Sequence, residues 1–187
     1  MITYPEYIEL GGKEYKINTD YKVALRCIDL IEDRNVSDWE RSIGLVVMLF
    51  GRDCPVNDKS LDLARRYLQC GIDNSTHIKR EPDMDLNADS KYIVASFQKE
   101  YGMDITREGM HWWKFYFLLE GLGEDSILTK VRQIRSEDLS DYKDKKIRKK
   151  LIEAKKSVAL PKKYTNEEEE ARKEFLDKLW GKPHTGL

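Results

Sequence analysis

The spacing of apolar residues changes after residue 20. Tyr7-Ile8-Glu9-Leu10 and Lys13-Glu14-Tyr15-Lys16-Ile17 alternate on either side of Gly11-Gly12. This predicts a β-hairpin: the glycines supply the positive φ values of a primed turn, and Ile8, Leu10, Tyr15 and Ile17 form one apolar face. An isolated hairpin is marginal in water, so it has to pack on the rest of the chain.

Beyond the hairpin the spacing is helical. Positions 21, 24, 25, 28 and 31 predict a helix to about Asp33, entered through Asn18-Thr19-Asp20. Ser37 and Glu40 form a capping box ahead of Trp39, Ile43, Val46, Val47 and Phe50, and Gly51 ends that run. Asp58 or Ser60 is expected to cap a third helix carrying Leu61, Ala64, Leu68 and Ile72. The polar stretch from Asp73 to Asn87, with Pro82, reads as a loop. Ile93, Val94, Phe97 and Tyr101 mark the next helix, entered at Asn87 or Asp89 and broken by Gly102.

Thr106 is expected to cap a central helix over residues 107–120, on which Arg107, His111 and Lys114 would share one polar strip. Asp125 or Ser126 opens another with Ile127, Leu128, Val131 and Ile134. Ser140 is expected to start a longer one carrying Ile147, Leu151, Ala154 and Val158, and Pro161 bars its continuation. Thr165 with Glu168 makes a second capping box before Ala171, Phe175, Leu176, Leu179 and Trp180. The fold class expected is therefore mainly α, about seven to eight helices with a short N-terminal hairpin. The expected organisation is a core of residues 1–135 and a C-terminal helical extension, 136–187.

Charge adds an asymmetry. The 187 residues carry 33 Lys and Arg against 34 Asp and Glu, yet from Lys130 onward there are 17 basic and 11 acidic residues. Most of the excess falls in Lys143 to Lys156, where eight bases meet two acids. That segment is the one candidate for nucleic acid. Seven of its eight bases are Lys and none of residues 145–150 is aromatic, which favours a solvated or protein-facing helix. The N-terminus has neither a basic n-region nor an apolar h-region, and no apolar run approaches membrane-spanning length, so a soluble, unexported protein without membrane contact is expected.

Candidate chemistry is sparse. Cys27, Cys54 and Cys70 fit neither a disulfide framework nor a zinc site, and His77, His111 and His184 stand in no motif with them. Asp83, Asp85, Asn87 and Asp89 alternate like the start of a calcium loop, but Ala88 or Ser90 stands where its turn glycine belongs, and Val94 or Ser96 where its bidentate glutamate belongs. A helix N-terminus is the better reading. Nucleotide-binding, hydrolase and zinc-protease motifs are missing. The expectation is a non-catalytic interaction protein with no cofactor and no metal.

Gly12-Lys13-Glu14-Tyr15, Ile17-Asn18-Thr19-Asp20, Tyr101-Gly102-Met103-Asp104-Ile105-Thr106, His111-Trp112-Trp113-Lys114-Phe115 and Ala159-Leu160-Pro161 occur in this order. Over roughly residues 6–161, read by these motifs, the chain resembles a family of long-tailed bacteriophage proteins of Gram-positive hosts, encoded between the major tail protein and the tape-measure protein. The resemblance implies a tail-assembly chaperone that keeps the tape-measure protein soluble in the host cytoplasm and is absent from the finished virion. Further expected partners are a second copy of the chain and tail-tube subunits; a minor tail structural protein is the alternative. His111, Trp112, Trp113 and Phe115 carry the resemblance and are read as core. Partner contact is expected from Ile147, Leu151, Val158, Phe175, Leu179 and Trp180.

Overall fold

Gly11 and Gly12 adopt φ of 62° and 77°, and the chain reverses on them between β1 (Tyr7–Leu10) and β2 (Lys13–Lys16). Both angles are left-handed, as a two-residue primed turn requires. Ile8 pairs with Tyr15 and Leu10 with Lys13, so the expected apolar face forms, with Leu10 and Ile17 its most buried members. The computed structural model describes residues 3–72 and 82–161, together with Glu170 and Glu174. The mainly α architecture with an N-terminal hairpin is as expected: seven α-helices and one 3₁₀ turn come after the strands among the described residues.

These residues fall into two compact units, one holding 3–72 and 109–117, the other 82–108 and 118–161. In the first, Asp20 caps α1 (Tyr21–Glu32) through its carboxylate, which accepts from Lys22 N at 2.8 Å. The Ser37–Glu40 capping box opens α2 (Asp38–Phe50), and Gly51 ends it at φ 84°. Leu45, Val46, Leu49 and Phe50 of α2 are buried, as are Ala24, Cys27 and Ile31 of α1. Trp39, expected on the apolar stripe, is 68% exposed, because the whole first turn of α2 stands clear of its neighbours and only the later turns are covered.

Neither Asp58 nor Ser60 caps α3 (Asp58–Leu68). Asn57 does, its side chain accepting from Ser60 N while Ser60 Oγ accepts from Asn57 N, both at 3.0 Å. The helix ends earlier than its apolar spacing suggested, leaving Ile72 outside it and 40% exposed. Cys70 takes a left-handed φ of 56° where glycine is the usual occupant, and Gly71 repeats the turn at 70°. Gly71 N then bonds Arg66 O at 3.0 Å, five residues back, in the Schellman pattern.

In the second unit, α4 (Ser90–Tyr101) ends at Gly102, left-handed at φ 66°, as expected. Ile93, Ser96 and Phe97 face α6 (Ile127–Ser136), from which Leu128 and Val131 are buried. Leu128 N donates to Ser96 Oγ at 3.2 Å, giving that buried hydroxyl a partner. Ser126 caps α6, one of the two residues expected.

Three further helix starts differ from expectation. Residues 107–111 are not helical: α5 runs only over Trp112–Glu120, and Thr106 sits in a turn with both its N–H and hydroxyl on Asp104. The strip Arg107, His111, Lys114 therefore does not exist as a helix face. Ser140 lies in a 3₁₀ turn, Leu139–Asp141, and Asp144 caps α7 (Lys145–Ser157) by accepting from Lys146 N and Ile147 N. Asp89 stands at the α4 N-cap position but makes no cap bond; its carboxylate is turned inward. The second capping box at Thr165 and the stripe Phe175, Leu179, Trp180 lie outside the described residues.

Candidate functional site

The His-Trp-Trp segment acts as a junction within the first unit. Trp112 N donates to Thr19 O at 2.7 Å and Tyr21 N to Met110 O at 2.9 Å, an isolated antiparallel bridge between Asp20 and His111. Pairing its backbone with Thr19-Asp20-Tyr21 keeps His111 extended, which is why the helix begins only at Trp112. Two segments that carry the family resemblance, 17–20 and 111–115, are thus neighbours in space.

Both indoles reach the end of α3. Trp112 Nε1 donates to Leu68 O at 3.0 Å and Trp113 Nε1 to Tyr67 O at 2.8 Å. A helix C-terminus leaves carbonyls without intrahelical partners, and here tryptophans from a distant part of the chain supply donors. Trp112 is 2% exposed and stacks with Phe115 at 5.8 Å between centroids; Phe115 stacks in turn on Tyr21 at 4.6 Å. Trp113 is half-buried and lies over Gly71, where an added Cβ would come within 3.1 Å of the ring.

His111 is half-buried, with both ring nitrogens engaged. Nε2 donates to Pro5 O at 3.0 Å and Nδ1 accepts from Trp113 N at 3.0 Å, an arrangement only the neutral Nε2–H tautomer satisfies. Tyr4 stacks on its face at 5.0 Å. Its lone pair is thus directed at a backbone N–H, and its N–H at a backbone carbonyl. The buried Tyr67 hydroxyl has no hydrogen-bond partner among the described residues, and burial pushes its pKa up. Burial likewise pushes the Cys27 and Cys70 thiols up to about 12. These are the properties of packed side chains rather than of nucleophiles.

The second unit contains a buried ion pair that sequence reasoning missed. Asp89, fully buried, receives Arg135 Nη1 at 2.6 Å and Nη2 at 2.7 Å, and also accepts from Asp85 N at 3.0 Å. Arg135 further donates through Nη1 to Asp83 O at 2.9 Å and through Nε to Val158 O at 2.6 Å. The Asp89 hydrogen bond raises the pKa of this guanidinium, with burial opposing. One arginine so ties the segment before α4, α6 and the end of α7 together. No local pattern reveals it, since the partners are far apart in sequence. Of the other acids in the calcium-like run, Asp83 pairs with Arg132 at 3.2 Å and Asp85 accepts from Asn87 N and Ala88 N. Among the described residues, no cluster of three or more His, Cys, Asp or Glu is placed to hold a metal.

The proposed contact residues on α7 are not brought into any core: the helix has no buried residue. Ile147 is 50% exposed, and Leu151 and Val158 are half-buried. All six residues from Lys145 to Lys150 are exposed, and none of the eight bases between 143 and 156 makes an ion pair among the described residues. Phe175, Leu179 and Trp180 lie outside the described residues. No described helix is long and apolar enough to cross a membrane.

Residues 3–160 match the family described as Bacteriophage Gp15 protein. No curated protein and no solved structure matches the chain.

Proposed function

The chain belongs to the Bacteriophage Gp15 protein family, and from that premise we propose that it is a tail-assembly chaperone. In this reading it is non-catalytic. It binds the tape-measure protein in the host cytoplasm, keeps it soluble until tail-tube subunits polymerise around it, and is left out of the finished particle. The observation that carries the reading is the set of motifs that resemble proteins encoded beside the tape-measure gene, and family membership supports its coarser part, a bacteriophage protein.

The physical support is α7. A long coiled-coil partner exposes an apolar seam until something covers it, and its binder needs apolar anchors set among charges. Ile147, half-exposed among Lys145, Lys146, Arg148, Lys149 and Lys150, is such an anchor. Leu151 and Val158 continue its line, and Phe175, Leu179 and Trp180 belong to the same reading from their spacing alone. The exposed bases are also what favours the rival reading, nucleic-acid binding. Their lysine-rich composition and the lack of interleaved aromatics weigh toward a protein surface.

Co-expression with the phage's tape-measure protein tests this directly. The tape measure is expected to become soluble and to co-purify, while purified virions lack this chain. A tape measure that stays insoluble beside a soluble chaperone defeats the reading. Stoichiometric presence in virions would make the chain a minor tail structural protein, and DNA affinity falling steeply with salt would make it a nucleic-acid binder.

A further inference from the structure

The apolar line on α7 follows a heptad. Ile147, Leu151, Ala154 and Val158 are spaced four, three and four apart, the alternating d and a positions of a coiled-coil seam. The positions that flank such a seam, e and g, then fall on Arg148, Lys150, Lys155 and Ser157. Every charged flank is a base. Glu153, the acid of this helix, stands by its spacing on the side away from the seam.

The unit's own contacts reach the later half of that seam. Arg135 Nε donates to Val158 O at 2.6 Å and Lys155 Nζ to Glu137 O, with Asp138 in electrostatic reach of Lys155. Leu151, Ala154, Lys155 and Val158 are half-buried. The first half differs. Lys145 to Lys150 are all exposed, and their five bases make no ion pair among the described residues. The first turn carries no acid, so Lys145 and Lys146 stand at the positive end of the helix dipole beside the Asp144 cap. Five like charges thus surround Ile147.

The flanks decide what can lie there. A second copy's α7 would set bases against bases at e and g, the repulsion by which coiled coils refuse a wrong partner. Nucleic acid would engage the bases but leave Ile147 in water. We propose that the open half of α7 takes up an acidic amphipathic helix, one whose a and d residues are apolar and whose e and g residues are glutamate or aspartate. Ile147 and Leu151 enter its seam, Arg148 and Lys150 meet its flanking carboxylates, and its charge offsets the bases at the α7 N-terminus. The inference rests on the chaperone reading in assigning that helix to the tape-measure protein.

Two synthetic peptides of about three heptads test the rule, both with leucine at a and d, one with glutamate and one with lysine at e and g. Fluorescence anisotropy of each with the full chain in about 0.05 M salt reads the binding. The glutamate peptide is expected to bind at least about tenfold more tightly than either the lysine peptide or polyglutamate of equal charge. Arg148→Glu/Lys150→Glu is expected to invert the preference between the two peptides, and Ile147→Ser to weaken the glutamate peptide about tenfold. All three side chains are exposed, and circular dichroism checks that the variants fold. Equal binding of the two peptides, polyglutamate binding as well as the glutamate peptide, or variants that bind as wild type does would each overturn the proposal. So would a DNA duplex that displaces the glutamate peptide, which would make the site one for nucleic acid, or self-association that the peptide disrupts, which would give it to a second copy. Binding that appears only after Glu167, Glu168, Glu169 and Glu170 are replaced by serine would give it to the chain's own acidic segment. A tape measure solubilised equally by wild type and by Arg148→Glu/Lys150→Glu sinks this inference alone. Peptide discrimination without tape-measure rescue sinks the chaperone reading alone.

Discussion

Trp112 Nε1 donates to the carbonyl of Leu68, the last residue of α3, at 3.0 Å, and so adds a donor from a distant segment to a helix end whose own turn already bonds Arg66 O through Gly71 N. Cys70 and Gly71, both left-handed, bend the chain away just after it. The neighbouring indole of Trp113 does the same for Tyr67 O. These side chains therefore act as a tertiary cap as well as filling space, and that dual use explains why two adjacent tryptophans face one helix end.

The pair should not be equivalent in stability. Trp112 is enclosed, so Trp112→Ala is expected to cost about 3–5 kcal/mol in urea unfolding, as large-to-small core changes do. Trp113 is half-buried and should cost less. Phenylalanine at either position keeps most of the ring and should cost about 1 kcal/mol or more for the lost hydrogen bond. A larger loss at Trp113 than at Trp112 would contradict the closer enclosure of Trp112.

Breaking the Asp89–Arg135 pair should be among the most damaging polar changes. Asp89→Asn or Arg135→Met strands a buried partner, with an expected loss of about 3–5 kcal/mol. The double variant Asp89→Leu/Arg135→Met should recover part of this, because neither charge is then left unpaired. Hydrogen exchange is expected to speed up at the C-terminal end of α7, which Arg135 holds through Val158 O. Equal exchange there in wild type and Arg135→Met would rule out the anchor.

All three thiols should resist modification in the folded protein. Burial holds Cys27 and Cys70 at about 12 and raises Cys54 as well, the last opposed by Lys13. Since these pKa values are raised on folding, their contribution to stability is complete below the unfolded value of about 8.5 and is lost as pH rises toward the folded one. The expected measurement is slow reaction with a thiol reagent at pH 8 and stoichiometric reaction in denaturant. Rapid native labelling of any of the three would refute their enclosure.

Glu40 should titrate below the ordinary carboxylate range. The Ser37 hydroxyl donates to its carboxylate at 2.6 Å and the Ser37 N–H at 3.0 Å, both favouring the charged form. A lowered pKa places its contribution above the unfolded value, and it fades as pH falls through the folded one. Carbon-detected NMR titration should show the Glu40 midpoint moving up toward normal in Ser37→Ala. An unchanged midpoint would mean that the capping box is not formed in solution.

The sequence by itself determined the hairpin, most of the helices and several of their ends. Gly11-Gly12, the Ser37–Glu40 box, Asp20, Ser126 and Gly102 act on residues within five positions of themselves, so their effect is present in any conformation that brings only neighbours together. Tertiary structure decided the rest. It began the helix that Thr106 was expected to cap only at Trp112, because His111 is held extended in a backbone bridge with Asp20. It turned Asp89 from a helix cap into the partner of Arg135, and it left Trp39 in solvent while burying Trp112. The same holds for the candidate surface: the spacing of Ile147, Leu151 and Val158 was legible, whereas their lack of burial was not. A stripe of apolar residues records only that a face can be covered. Whether it is covered depends on which distant segments the chain brings against it.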